Sequence, residues 1–106
     1  MIVDRKWHNI KDNAIGDLQK ILKIDITCRA DEKLYEIIKN KTFYLEEKNI
    51  LILWVQKRLK AMGYYNYYPN GVWDKKTINS IYKLQKRHSL NCSSINNDTW
   101  YFLLRG

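Results

Sequence analysis

Few residues in this 106-residue chain could break a bond. The two histidines are His8 and His88, and no His-Glu-x-x-His or comparable metal-ligand cluster surrounds either. Cys28 and Cys92 lie far apart, too few for a disulfide framework and wrongly spaced for a metal site. They read as two small buried thiols, with a single bridge between the halves as the lesser alternative. A Cys-His pair assembled in space has no sequence frame behind it. Cleaving a glycosidic bond needs two placed carboxylates. The second half offers Asp74 and Asp98, and both read as helix caps. The carboxylates of the first half stand beside lysines on helix faces, the usual place for solvated charge. These residues predict no catalysis, no metal and no cofactor.

Binding chemistry is better supplied. Tyr64, Tyr65, Tyr67 and Tyr68 stand together ahead of Pro69-Asn70-Gly71 and Trp73. Aromatic faces stack on the C–H faces of sugars, and phenol hydroxyls bond sugar or peptide groups. Asn66 and Asn70 add amide donors and acceptors. Tyr64 follows Gly63 directly and reads as a core plug. Trp73 reads equally as a plug or as a ligand platform. Tyr67 and Tyr68, next to proline, are expected to be exposed. Trp7, Trp54 and Trp100 are expected in the core.

Helices must hold this loop. Leu51, Val55, Leu59 and Met62 form one helical stripe, with Gln56, Lys57 and Lys60 largely on the other face. Gly63 suits the left-handed residue that ends a helix. Asp74 then caps a helix with Ile78, Ile81, Tyr82 and Leu84 inside and Lys75, Lys76, Lys83, Lys86 and Arg87 outside. Ser89-Leu90-Asn91 ends it, and Asn97 or Asp98 caps a last short helix bearing Trp100, Leu103 and Leu104. Upstream, Ile2-Val3 opens an extended lead-in that packs Trp7 onto the body. Asp12-Asn13 starts a helix over roughly residues 13–24, and Asp31 caps another with Leu34, Ile37 and Ile38 as its stripe. Phe43-Tyr44-Leu45 is a short apolar patch, and Glu46 to Asn49 is a linker or the first turn of the next helix. The fold class is therefore all-α, a small helical bundle.

Charge is uneven. Residues 1–53 hold 10 Lys/Arg against 9 Asp/Glu, and residues 54–106 hold 9 against 2. The basic half favours an anionic polymer: nucleic acid, anionic cell-wall polymer or acidic lipid. No helix-turn-helix, zinc-finger or RNA-binding aromatic motif is present, so nucleic acid ranks below the wall. The longest apolar run, Ile50 to Val55, is too short to span a bilayer, and no signal peptide is visible, so export would need help from outside this chain.

Val55-Gln56, Leu59, Met62-Gly63-Tyr64-Tyr65, Asn70-Gly71-Val72-Trp73-Asp74, Thr77, Ser80-Ile81-Tyr82-Lys83-Leu84-Gln85, Ser89-Leu90, Thr99-Trp100 and Leu103 occur in that order. Over residues 49–105 this series resembles the peptidoglycan-binding domain found beside the catalytic domains of many cell-wall hydrolases. The chain departs from the family pattern at Asn70, Asp74 and Ser93-Ser94. The resemblance implies a non-catalytic wall-binding module that targets a lytic enzyme, such as a phage endolysin or an autolysin, as a fused domain or separate subunit. Its expected partner is peptidoglycan or an anionic wall polymer, and its place is the bacterial cell wall. The alternatives are a basic nucleic-acid-binding module or a protein-interaction module. The family's groove lies near the tyrosine loop and the start of the next helix. That implies a site of Tyr65, Tyr67, Asn70, Trp73 and Lys76, to which exposure adds Tyr68.

The first half also echoes the second. Leu18-Gln19 with Leu22 answers Val55-Gln56 with Leu59, and Leu34 and Ile37 answer Ile78 and Ile81. Residues 1–48 then read as a degenerate half-repeat without the binding loop, or as a helical hairpin capping residues 49–106.

Overall fold

Each of the five helices described below begins on an aspartate or asparagine whose side chain accepts an otherwise unpaired amide of the first turn. The computed structural model describes Trp7 and residues 10–106. The expected lead-in at residues 2–6 and His8 lie outside the described residues. The helices are α1 (Asn13–Ile21), α2 (Glu32–Ile38), α3 (Ile50–Ala61), α4 (Lys75–Arg87) and α5 (Asn97–Arg105). Their caps are Asp12, Asp31, Asn49, Asp74 and Asn96. The last cap is Asn96 rather than Asn97 or Asp98. Its Oδ1 accepts both the amide and the hydroxyl of Thr99, as Asp74 Oδ1 does from Thr77. The fold is all-helical, with no strand among the described residues beyond two isolated antiparallel bridges, Lys11 with Arg29 and Lys48 with Val72.

Three helices stop in the same way. Lys23, Gly63 and Ser89 take positive φ (59°, 88° and 58°). The next amide then bonds back to the helix: Ile24 to Gln19, Tyr64 to Leu59 and Leu90 to Gln85. The turn at Lys23 ends α1 at Ile21, short of the expected residue 24.

One core unites both halves. Trp7, Trp54 and Trp100 are buried, as expected, and share it with Leu18, Leu34, Leu59 and Leu84. Trp54 Nε1 donates to Ala14 O at 2.8 Å, fastening α3 to α1. Arg58 Nε donates to Leu103 O at 2.6 Å, and one of its terminal nitrogens to Leu104 O at 2.8 Å and to the Asp12 carboxylate at 3.2 Å. One guanidinium thus closes the C-terminal end of α5 onto the start of α1. The bond from the Ala14 amide, helped by Arg58, holds the Asp12 carboxyl below its ordinary pKa.

The largest departure from the helical stripes concerns three glutamines. Gln19, Gln56 and Gln85 are fully buried, so Gln56 does not belong to the outer face. A buried primary amide must have its bonds met inside the protein. Gln56 Oε1 accepts from the amides of Asn70 (2.9 Å) and Gly71 (2.8 Å). Its Nε2 donates to Asn70 Oδ1, Val72 O and Thr77 Oγ1. Gln19 repeats this on Thr27, Cys28 and Arg29, and Gln85 on Ser93, Ser94 and Thr99. Each glutamine fixes the loop after its own helix and the entry to the next.

The first two units also share a backbone pairing. Asp12 N bonds Cys28 O and Ala30 N bonds Ile10 O. In the second unit Asn49 N bonds Gly71 O and Trp73 N bonds Glu47 O. Residues 47–49 are therefore extended, after a turn at Leu45-Glu46 in which Glu46 takes φ 69°, and are not a helical turn. Cys28 (φ 57°) occupies the left-handed position held by Gly71 (φ 77°), where a side chain on Gly71 would also press on Asn49 O at 3.2 Å. Matching the caps Asp31 and Asp74 aligns Ile38, not Ile37, with Ile81. Ile38 is buried and Ile37 is exposed. Cys28 is half-buried, Cys92 is exposed and both are free, so neither a bridge nor a buried pair of thiols forms.

His88 stacks on Phe102 with ring centroids 3.7 Å apart and planes 7° from parallel. Burial first, then Arg105 and Arg87, lower its pKa from 6.5. As the pH falls the unfolded chain takes up this proton before the folded one does, so the stabilisation is full above 6.5 and is lost as pH falls through the folded value. His88→Gln is expected to flatten the decline in melting temperature between about pH 7 and pH 5. An unchanged slope would assign that decline to another group.

Candidate ligand-binding groove

The loop between α3 and α4 is built from the Gln56 hub outward. Asn70 Oδ1 accepts the Val72 amide at 3.0 Å and a proton of Gln56 Nε2, so its side chain folds back into the loop. Thr77 Oγ1, bonded to Gln56, also meets the Tyr65 side chain. Tyr65 is only 1 % exposed. Burial foremost, then the Asp74 carboxylate, raises its phenol above the ordinary value of 10.0. The structure thus places Tyr65 fully in the core, while Tyr64, the expected plug, is half-buried and packs against the core's edge.

Tyr67 rests on this foundation. Its ring meets Tyr65 edge-on at 5.5 Å and 68°. Lys76 Nζ stands 4.5 Å from its centroid, and Lys60 Nζ bonds its carbonyl at 3.0 Å. Edge-on packing and the cation both hold the ring without covering it. Tyr67 remains 49 % exposed. Tyr68, 89 % exposed, lines none of the clefts described below.

Two clefts flank the outer face of α4. The first, about 370 Å³, is lined by Tyr67, Lys76, Asn79, Tyr82, Lys86 and Cys92, among others. The second, about 220 Å³, is more apolar and lined by Phe43, Leu45, Trp73, Ile78, Tyr82 and Ile95, with the Ser93-Ser94 turn at its edge. Tyr82 lines both. Expected inside, it is 38 % exposed and forms the saddle between them. Trp73 is 6 % exposed and packs on Phe43 at 4.7 Å, as a core residue whose edge reaches the apolar cleft.

Of the residues expected at a site, the fold brings Tyr67 and Lys76 together in one cleft and sets Trp73 in the wall of the other. Tyr65 and Asn70 lie behind them as supports, and Tyr68 projects elsewhere. Phe43, Leu45, Asn79, Tyr82 and Ile95 were not legible as site residues. Tyr82 alone carried a local signal, being an aromatic next to Ile81 at the edge of the α4 stripe.

No group of His, Cys, Asp or Glu able to hold a metal exists among the described residues. No helix among them is long and apolar enough to cross a membrane.

The chain belongs to the peptidoglycan-binding domain family: the family model described as "Putative peptidoglycan binding domain" matches residues 50–103. The match covers the tyrosine loop and all of α3 and α4. No curated protein and no solved structure matches the chain. Membership supports peptidoglycan as the ligand and association with the cell wall.

Proposed function

We propose that this protein is a non-catalytic module that holds a lytic enzyme, such as an endolysin or autolysin, on the bacterial cell wall by binding peptidoglycan along α4. The observation that carries the reading is the pre-positioned pair Tyr67 and Tyr82, walling a groove inside the segment that matches the family. Sugar C–H faces stack on these two rings, and the Asn79 amide bonds acetamido or peptide groups. The apolar end at Phe43, Trp73 and Ile95 accepts methyl groups. Lys76 and Trp73 contribute at the site directly, whereas Tyr65 and Asn70 position the loop. Residues 49–106 carry the binding. Residues 1–48 are a half-repeat that kept the glutamine hub on a shorter loop: Thr27 follows Gln19 by 8 positions, Asn70 follows Gln56 by 14. Attachment raises the local concentration of the linked hydrolase, fused or associated, on its substrate.

Co-sedimentation with purified peptidoglycan, beside single-stranded DNA at low and high salt, tests this. The expected result is sedimentation with bare peptidoglycan that survives high salt. Binding to DNA alone, collapsing steeply as salt rises, would contradict it.

A further inference from the structure

Lys76, Lys83 and Lys86 line one side of the larger cleft, at helical positions that fall on one face of α4. From Lys76 to Lys86 the row spans about 15 Å along the helix axis. No carboxylate occurs between Asp74 and Asp98 in the sequence. Asp74 is committed to Thr77 as a cap. Among the described residues no ion pair neutralises Lys76, Lys83 or Lys86. Lys60, bonded to the carbonyl of Tyr67, adds a fourth cation at the same end. Such an unopposed row repels itself, and a linear anion with regularly spaced charge relieves that repulsion.

We propose that this row binds a phosphodiester-linked polymer attached to the wall, alongside the peptidoglycan strand. The inference rests on the peptidoglycan reading above, since it places both ligands on α4. The choice of phosphate follows from charge. Stem-peptide carboxylates are partly offset by the free amines of the same peptides. A phosphodiester chain carries an uncompensated charge at every repeat. Lysine ammonium groups bind phosphate as point charges and demand no planar fork. The row also continues past Tyr67 and Tyr82, beyond the rings that would hold sugar.

The test uses the full chain and three materials: intact walls bearing the polymer, the same walls stripped of it with hydrofluoric acid, and single-stranded DNA. Affinities are measured by co-sedimentation across a salt series. Intact walls are expected to bind at least about tenfold more tightly than stripped walls at low salt, with the difference closing as salt rises. In Lys83→Gln with Lys86→Gln the two affinities are expected to converge, with helical circular dichroism unchanged. Equal binding of the wild-type chain to intact and stripped walls would overturn the inference and leave peptidoglycan binding standing. No binding to stripped walls, even at protein concentrations that saturate intact ones, would instead remove the peptidoglycan reading. Tighter binding to DNA than to intact walls would show that the row serves nucleic acid and overturn the choice of polymer.

Discussion

Gln56→Leu is expected to lower the stability of the domain by about 3–5 kcal/mol. The leucine fills similar space and meets no hydrogen bond. The amides of Asn70 and Gly71 lose their shared acceptor, and Gly71 is buried. Thr77 Oγ1 and Val72 O lose a donor. An unsatisfied buried donor costs about 1–3 kcal/mol, a cost that falls in full on the Gly71 amide and in part on that of Asn70, with the lost donors to Thr77 and Val72 adding the rest. In a chain of this size that is a fall of roughly 15–30 °C in melting temperature, read by circular dichroism at 222 nm. Wall binding should fall with it, because the same hub orients the loop that carries Tyr67. A loss below about 1 kcal/mol would mean that water takes over the loop amides and that the hub is not what fixes the loop.

The second large effect separates neighbouring tyrosines. Tyr67→Ala is expected to weaken peptidoglycan binding by about 2 kcal/mol, roughly 30-fold in Kd, with helical circular dichroism and melting temperature nearly unchanged. Tyr68→Ala should change Kd less than about twofold. The difference follows from geometry. Tyr67 is braced by Tyr65 and Lys76 at the mouth of a cleft, so little rotamer freedom remains to be lost on binding. Tyr68 is almost wholly in solvent and borders neither α4 cleft. Equal losses from both substitutions would place the ligand over the loop tip instead of along α4. A melting temperature that collapses with Tyr67→Ala would make the ring structural.

Local rules made the helices legible. Asp12, Asp31 and Asp74 cap where an Asx residue precedes an apolar period, and Gly63 ends α3 as a left-handed residue should. At Asn96-Asn97-Asp98 three candidates stand in a row. The choice falls to the residue whose side chain reaches Thr99, which spacing from Thr77 and Asp74 would have shown. The glutamines were missed because a polar residue on a helical wheel reads as solvent-facing. Their signal was the recurring Leu-Gln or Val-Gln pair at Leu18-Gln19, Val55-Gln56 and Leu84-Gln85, each followed by an Asx cap after a loop. Tyr65 joins Tyr64 on the core side because the turn at Gly63 leaves Tyr64 bonded to Leu59 and swings the next ring inward.

The groove was legible only on its tyrosine-loop side. Tyr67 and Lys76 are nine positions apart, within reach of pattern and resemblance. Phe43, Leu45 and Ile95 reach the second cleft through tertiary packing between elements distant in sequence, which no local period encodes. The pairing of residues 46–49 with 71–73 brings the Phe43 segment against Trp73. The shorter first loop keeps the equivalent backbone pairing without a tyrosine cluster. The aromatic loop is thus what distinguishes the second unit from the first.

Peptidoglycan binding along α4 is the central property proposed for this domain. Titrating the isotopically labelled chain with a soluble peptidoglycan fragment and following backbone amide resonances tests that directly. The expected result is saturable shifts concentrated at Tyr67, Lys76, Asn79, Tyr82 and the Ser93–Ile95 turn. Shifts confined to α1 and α2, or no saturable shifts at all, would contradict it.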